Sequence, residues 1–304
     1  MRKFHDLAVR AWSFTSDDLF HKVVGAIHLL CARIAECEQA RVRREEIVRV
    51  LAPARAIHRR SPFIQRLQTW PRGYPGDFET IDYLCRGQPI LPPGSVEYVC
   101  ELYSLTCAVA QQHRNKVHRQ ADLITSIVTA RPGARILILG CGSCQDVVHA
   151  LPSLVGKNFE LVLNDYDPGA LAAAEHNLMA IYEHIELRGD SILRLLRRPT
   201  ALDRFDLVLA GGLFDYFSDR HVIFIVNQVY NRLLCNGASF FFTNIVIKNP
   251  YRLWMSYLAD WHLIERSPED IHRVAAEAHI DSANLAVETD QTTLTLLARV
   301  TRPE

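Results

Sequence analysis

The chain has 304 residues, 49% of them apolar and 22% charged, and its acidic and basic side chains are matched at 34 each. That balance excludes a mainly disordered chain and leaves no electrostatic footprint for nucleic acid, because the basic residues are dispersed apart from short clusters such as Arg41 to Arg44. The length accommodates one large domain or two modest ones.

The opening residues, MRKFHDLAVRAW, lack the long apolar core of a signal peptide, and no later run has the length that spans a bilayer. The expectation is a cytoplasmic protein with no membrane span; a homodimer stays open, since the sequence does not reveal the oligomeric state. The 8 cysteines are unevenly spaced in a chain too large to need disulfide staples, which fits buried thiols in a reducing compartment. Cys141 and Cys144 form a C-x-x-C, a spacing shared by redox pairs and zinc sites, but no second pair at ligand spacing completes a metal site.

In chain order, residues 16 to 36 carry Leu19, Phe20, Val23, Val24, Ile27, Leu30 and Ile34 at the three-and-four spacing of an amphipathic helix. A second helix is expected over Glu45 to His58. Ser61-Pro62 starts a third, with serine at the cap and proline in the first turn, and Trp70-Pro71 stops it. In Tyr74-Pro75-Gly76-Asp77, proline and glycine occupy the central positions of a type II turn, and Asp77 suits the cap of a helix from Phe78. Arg72 and Tyr74 are not required by that turn, so the loop is either a structural corner or a presentation of a guanidinium and a phenol to a ligand.

QPILPPG at 88 to 94 is a linker, and helix resumes at Ser95 and runs to Ala130. Its polar centre, QQHRNKVHRQ at 111 to 120, places Arg114 and His118 on one face. That face is either solvated or an anion clamp. Arg131-Pro132-Gly133 breaks the helix and opens an alternating series. Strands are expected at Arg135 to Leu139, Glu160 to Asn164, Phe205 to Ala210 and Ala238 to Val246. Helices are expected at Asp146 to Leu151, Gly169 to Ile181 and Asp219 to Leu234, the last ended by Asn236-Gly237. Tyr251 to Ile264 and Pro268 to Ala278 read as helices. Leu285 to Thr289 and Thr292 to Val300 read as an antiparallel hairpin joined by Asp290-Gln291. The predicted fold is α/β: a doubly wound, mostly parallel sheet over 126–304, behind a helical N-terminal cap over 1–125.

The apolar run ARILIL ends in Gly140-Cys141-Gly142, which brings bare backbone to the carboxyl edge of the sheet, where a nucleoside-bearing ligand can approach. Asp165 lies at the tip of the next strand, where a carboxylate can accept both hydroxyls of a ribose. Gly189-Asp190-Ser191 and Ala210-Gly211-Gly212 follow the third and fourth strands.

In this order of stations the chain resembles the class I S-adenosylmethionine (SAM) dependent methyltransferases over roughly residues 125 to 304. The resemblance implies SAM as cofactor, with its methionine end on Gly140, Cys141 and Gly142, its ribose on Asp165 and its adenine beside Tyr166, Asp190 and the Ser191 backbone. It also implies that Gly211 and Gly212 approach the sulfonium. Two positions depart from the pattern. Ile138 replaces the usual acid two residues before the first glycine, and Cys144 replaces the third glycine, so another group must hold the SAM ammonium.

GYPGD at 73–77, HRNK at 113–116, GGLFDYFSD at 211–219 and NPYRLWMSYLADWHLI at 249–264 are together similar to the bacterial enzymes that make 3-hydroxy fatty acid methyl esters. Glu265-Arg266 departs from the aromatic-Arg pair expected there. The implied acceptor is a small apolar molecule bearing a carboxylate, with Tyr74, Arg114 and Tyr216 as donors to it and Asp77 and Asp215 holding them or acting as base. A carboxyl group is more than about 99% ionised at neutral pH and needs no base, whereas a phenol titrating near about 10 would profit from one. O- or N-methylation in a natural-product pathway and non-catalytic SAM binding are the alternatives. Tyr251, Trp254, Met255, Leu258 and Trp261 form an apolar stripe, either core or pocket wall.

Overall fold

The computed structural model describes residues 6, 7, 11, 14–197 and 204–304. The chain forms two compact units, Met1–Gln111 with Pro250–His262, and Gln112–Asn249 with Leu263–Glu304.

In the first unit, α1 (Ser16–Gln39) starts at the Thr15 side chain, which accepts the Asp18 N–H, and buries Leu19, Val23, Ile27, Leu30 and Ile34 as a single stripe. It is followed by α2 (Arg44–His58) and α3 (Pro62–Thr69), the latter capped by Ser61 with proline in its first turn and ended by Trp70 in the left-handed conformation. Gly76 has φ +65°, as the second central position of a type II turn requires, and Asp77 then caps α4 (Phe78–Arg86). After the linker come α5 (Val96–Thr106) and α6 (Ala108–Ala130). The single helix expected from Ser95 to Ala130 is therefore broken, with Cys107 extended at ψ 162°.

Short α11 (Arg252–Tyr257) belongs to this unit rather than to the sheet unit. Trp254 packs edge-on to Tyr103 at 5.6 Å, Arg55 donates to the Tyr257 carbonyl and Gln68 to that of Leu258. Trp254, Met255, Leu258 and Trp261 are all buried, so the apolar stripe is core. The helix stops well short of the expected Ile264, and 258–265 is irregular.

The second unit holds one seven-stranded sheet in the order β3-β2-β1-β4-β5-β7-β6. Its strands are β1 (Ala134–Leu139), β2 (Phe159–Asn164), β3 (Ile185–Arg188), β4 (Phe205–Ala210), β5 (Leu234–Ile245), β6 (Leu285–Thr289) and β7 (Thr295–Thr301). The first five are mutually parallel, and β7 runs antiparallel between β5 and β6. The intervening helices are α7 (Gln145–Leu154), α8 (Pro168–Asn177), α9 (Ile192–Arg197), α10 (Asp219–Gln228) and α12 (Pro268–Glu277). β1, β2 and β4 each carry a consecutive apolar run, Ile136–Leu139, Leu161–Leu163 and Leu207–Ala210, because both faces of a parallel sheet are covered.

Two boundaries differ from expectation. Asn236-Gly237 does not end the helix before β5. It lies inside β5, where pairing with β4 jumps from Phe205↔Leu234 to Leu207↔Ser239 and Gly237 takes φ +73° as part of the irregularity. The β6–β7 connection spans 290 to 294 rather than two residues, because Asp290 gathers the Thr292 hydroxyl and the Leu294 and Thr295 N–H groups into its carboxylate. No helix among the described residues is long and apolar enough to cross a membrane.

Arg266 is 2% exposed and acts as a clamp on the segment after β4. It donates to the Phe214 and Phe217 carbonyls at 2.8 and 2.6 Å, to the Asn244 side chain, and to Asp219 at 2.8 Å. Removing it leaves buried acceptors without a donor, and Arg266→Met is expected to lower unfolding free energy by roughly 3 kcal/mol in urea titration. A loss below about 1 kcal/mol would show that the clamp is not structural.

Candidate active site at the carboxyl edge of the sheet

In the second unit, parallel pairing places the carboxyl ends of β1, β2 and β4 on one edge, and the strand order reverses between β1 and β4, where such sheets open a crevice. The β1 loop is built onto β2. The Cys141 N–H donates to the Asn164 carbonyl at 3.0 Å and the Gly142 N–H to the Asp165 carboxylate at 3.0 Å. The other Asp165 oxygen accepts the Asp167 N–H. Each carboxylate oxygen keeps a second lone pair, so Asp165 can bind its loop and still receive hydroxyl donors. Burial raises its pKa, opposed by these backbone donors. Asn164, wholly buried, donates to the Arg188 and Asp190 carbonyls and so fixes the β3 loop against β2.

The two departures in the β1 loop have a physical reading. Ile138 is 2% exposed and packs in the apolar cluster with Ile136, Leu163 and Leu209, a place without room for an unpaired acid. Cys144 holds φ +59°, the left-handed conformation that glycine adopts freely, at the start of α7. Burial and the neighbouring Cys141 push the Cys144 thiol well above its usual pKa, so it stays protonated. Cys141 and Cys144 are both free, buried thiols.

Beyond β4, Leu213–Tyr216 forms a 3-10 turn. The Gly212 N–H donates to the Thr243 hydroxyl of β5 at 2.8 Å. Asp215 is buried and does not cap α10: one of its oxygens accepts the Ile245 N–H at 2.7 Å, and the other lies 3.8 Å from the Lys116 ammonium. Burial raises the Asp215 pKa and lowers that of Lys116, each against the opposing pull of its partner. The polar stretch of α6 is thus not simply a solvated face. His118 and Arg119 are exposed, but Gln112, His113, Lys116 and Gln120 are buried. Side chains at Gly211 and Gly212 would meet Gln120 and Lys116: a Cβ at Gly211 would collide with the Gln120 amide, and one at Gly212 would lie 3.2 Å from Lys116 Nζ. These glycines make room for α6.

The structure therefore gathers Gly140, Cys141, Gly142 and Asp165 in one group, and Gly211, Gly212 and Asp215 in another. Tyr166 is 56% exposed beside the first group, Asp190 pairs with Arg194 at 3.3 Å, and Ser191 is exposed. Arg114 is half-buried and Tyr216 is 37% exposed. Tyr74 and Asp77 belong to the first unit. There Asp77 is 1% exposed, binds Arg66 through both oxygens at 2.9 and 3.0 Å, and caps α4; Tyr74 is half-buried in the turn before it. Residues the sequence did not single out are Lys116, Gln120, Asn164 and Thr243. The i, i+4, i+8 spacing of Gln112, Lys116 and Gln120 was the available signal for the first two.

Neither a protein-family model nor a curated protein sequence matches the chain. Solved structures do. A possible exported protein from Bordetella parapertussis aligns with TM-score 0.62 at 19% identity, over 75% of this chain and 80% of that one. The S-adenosylmethionine-dependent methyltransferase SibL, in its apo form, aligns with TM-score 0.50 at 16% identity, over 80% of this chain and 69% of its own. The fold is methyltransferase-like. At these identities the likeness concerns architecture, and the α/β expectation with a mostly parallel sheet and antiparallel C-terminal hairpin is met.

Asp146, buried in the first turn of α7, is pushed up to about 6 by desolvation. Its unfolded value is near about 3.9, so folding favours the protonated form, and the stability it contributes is full at acid pH and lost as pH rises through about 6. Asp146→Asn is expected to stabilise the protein near neutral pH by about 2–3 kcal/mol relative to its effect at pH 4, measured by denaturant unfolding at both pH values. An effect independent of pH would contradict this assignment.

Proposed function

We propose that this chain is a SAM-dependent methyltransferase acting on a small molecule, and that the acceptor is the carboxyl group of a fatty or other apolar acid. The observation that carries the cofactor reading is the bond from the Gly142 N–H to Asp165 at the β1–β4 switch point, a glycine turn and a strand-tip carboxylate joined where a nucleoside would sit. When bound, SAM supplies an electrophilic methyl group on a sulfonium. In this assignment Asp165 accepts the ribose hydroxyls, the backbone of Gly140, Cys141 and Gly142 lies along the methionine part, and Tyr166, Asp190 and Ser191 border the adenine. Gly211 and Gly212 provide the β4 wall.

Arg114 and Tyr216 are assigned as donors that orient an acceptor carboxylate, and Tyr74 carries the same assignment in the first unit, on the loop anchored by Asp77. A carboxylate is already the nucleophile at neutral pH, so these donors must align it without quenching it, and exclusion of water speeds a step that neutralises opposite charges. A second reading, O- or N-methylation of a neutral acceptor, draws on Asp215, whose raised pKa would suit a general base.

Incubation with labelled SAM and a series of 3-hydroxy fatty acids, phenols and amines separates these readings: label is expected on the acids. Transfer only to phenols or amines would favour the second, and binding of S-adenosylhomocysteine (SAH) without any transfer would leave a cofactor-binding protein. Asp165→Ala is expected to weaken SAH binding in calorimetry by about a hundredfold or more, the loss of two hydroxyl bonds to a charged acceptor. Tyr74→Phe should leave SAH affinity unchanged and lower turnover by about tenfold or more; full activity would remove Tyr74 from the site.

A further inference from the structure

The Lys116 ammonium is 4% exposed and has no hydrogen-bond partner among the described residues. An ammonium carries three donors, and burying it with none of them used is unfavourable unless an anion receives it. Asp215 compensates only in part. At 3.8 Å it is an ion-pair neighbour beyond hydrogen-bond reach, and its other oxygen is committed to the Ile245 N–H.

The surroundings of Lys116 are built rather than incidental. Gln112, Lys116 and Gln120 are buried on one face of α6, and Gln112 is fixed by the Thr295 hydroxyl. One turn further on, Gln120 donates back to the Lys116 carbonyl at 3.3 Å. Asn115 bonds Asp290 of the β6–β7 loop at 2.8 Å, which sets the rotation of the helix. Lys116 Nζ consequently lies over Gly212, in the turn after β4, where a Cβ would approach it to 3.2 Å. The Gln112 amide nitrogen is a second buried donor without a partner among the described residues. The arrangement is a cationic donor, an unused amide donor and bare glycine backbone at the sheet edge that carries Asp165.

We infer that Lys116 binds a ligand carboxylate at the tip of β4. This rests on the cofactor reading above and deepens it, because a SAM-dependent carboxyl methyltransferase handles two carboxylates: that of the amino-acid end of SAM and that of the acceptor. Both have the chemistry Lys116 lacks. Asp215 offers the ammonium a partial counter-charge, and its incomplete contact leaves the donors available. Lys116 then joins the half-buried Arg114 as an anion-binding member of the HRNK segment.

The test compares SAH with 5′-methylthioadenosine, which lacks the amino-acid end, by calorimetry on wild-type protein and Lys116→Met, and measures binding of 3-hydroxydecanoate to both in parallel. If the carboxylate is that of the cofactor, wild type prefers SAH, and Lys116→Met loses about tenfold to a hundredfold of SAH affinity while methylthioadenosine binding is unchanged. Unchanged methylthioadenosine binding also shows that the variant is folded. If the carboxylate is the acceptor's, SAH affinity is retained and 3-hydroxydecanoate affinity falls by the same factor. Should the Met variant not fold, Lys116→Gln is read in the same way. Wild-type protein that binds neither adenosine compound refutes the cofactor reading, and the acid arm then decides for Lys116. Unaltered binding of both carboxylates in the variants, or no binding of either by wild type, overturns the inference and leaves Lys116 as a counter-charge for Asp215.

Discussion

Parallel pairing is the constraint on which the sheet unit depends. Because β1, β2, β3, β4 and β5 run in one direction, each delivers the chain to the same edge, and loops far apart in sequence meet there. Leu139 is in register with Asn164, so the residues that follow each, the β1 glycine turn and Asp165, emerge side by side. The hydrogen bond from Gly142 to Asp165 follows from that register, and the pairing of Asn164 with Arg188 brings Asn164 to the Asp190 carbonyl of the β3 loop. Strand order reverses between β1 and β4, the position at which sheets of this kind bind ligands.

The loops at that edge carry buried polar groups, which a folded chain tolerates only when they are paired or serve a ligand. Asp165 and Asp215 both have raised pKa values because desolvation outweighs the donors around them. They are stabilised differently. Asp165 rests on backbone N–H groups, whereas Asp215 shares its charge with Lys116 and the β5 backbone. Arg266 and Thr243 hold the backbone of the glycine-bearing segment after β4.

β1, β2 and β4 were legible in the sequence because both sheet faces are covered and each carries a consecutive apolar run, while Pro, Gly and Asp mark the strand ends; β3, only four residues long with two of them charged, was given no range. Asp165 was legible for the same reason, as the polar residue ending an apolar run. Gly237 was misread because a helix stop and a strand irregularity use the same left-handed conformation. The break at Cys107 was invisible because nothing in the local sequence forbids helix there. Tyr251 to Trp261 looked like part of the sheet unit by position in the chain, yet its aromatic residues are core of the helical unit. Lys116 was hidden by company: inside HRNK it resembled one charge of a solvated run, and the spacing it shares with Gln112 and Gln120 gained meaning only once packing showed that face to be buried, unlike His118 and Arg119.

Ile138 and Cys144 show how a glycine-turn signature can weaken without the edge being lost. An apolar side chain at 138 joins the core, a cysteine at 144 accepts the left-handed backbone, and Asp165 still anchors the turn from β2. The most direct measurement is a crystal structure of the protein grown with SAH. The expected result is the nucleoside at the β1–β4 edge with both ribose hydroxyls within hydrogen-bond distance of Asp165. A nucleoside bound elsewhere, or bound at this edge with its ribose turned away from Asp165, would contradict it.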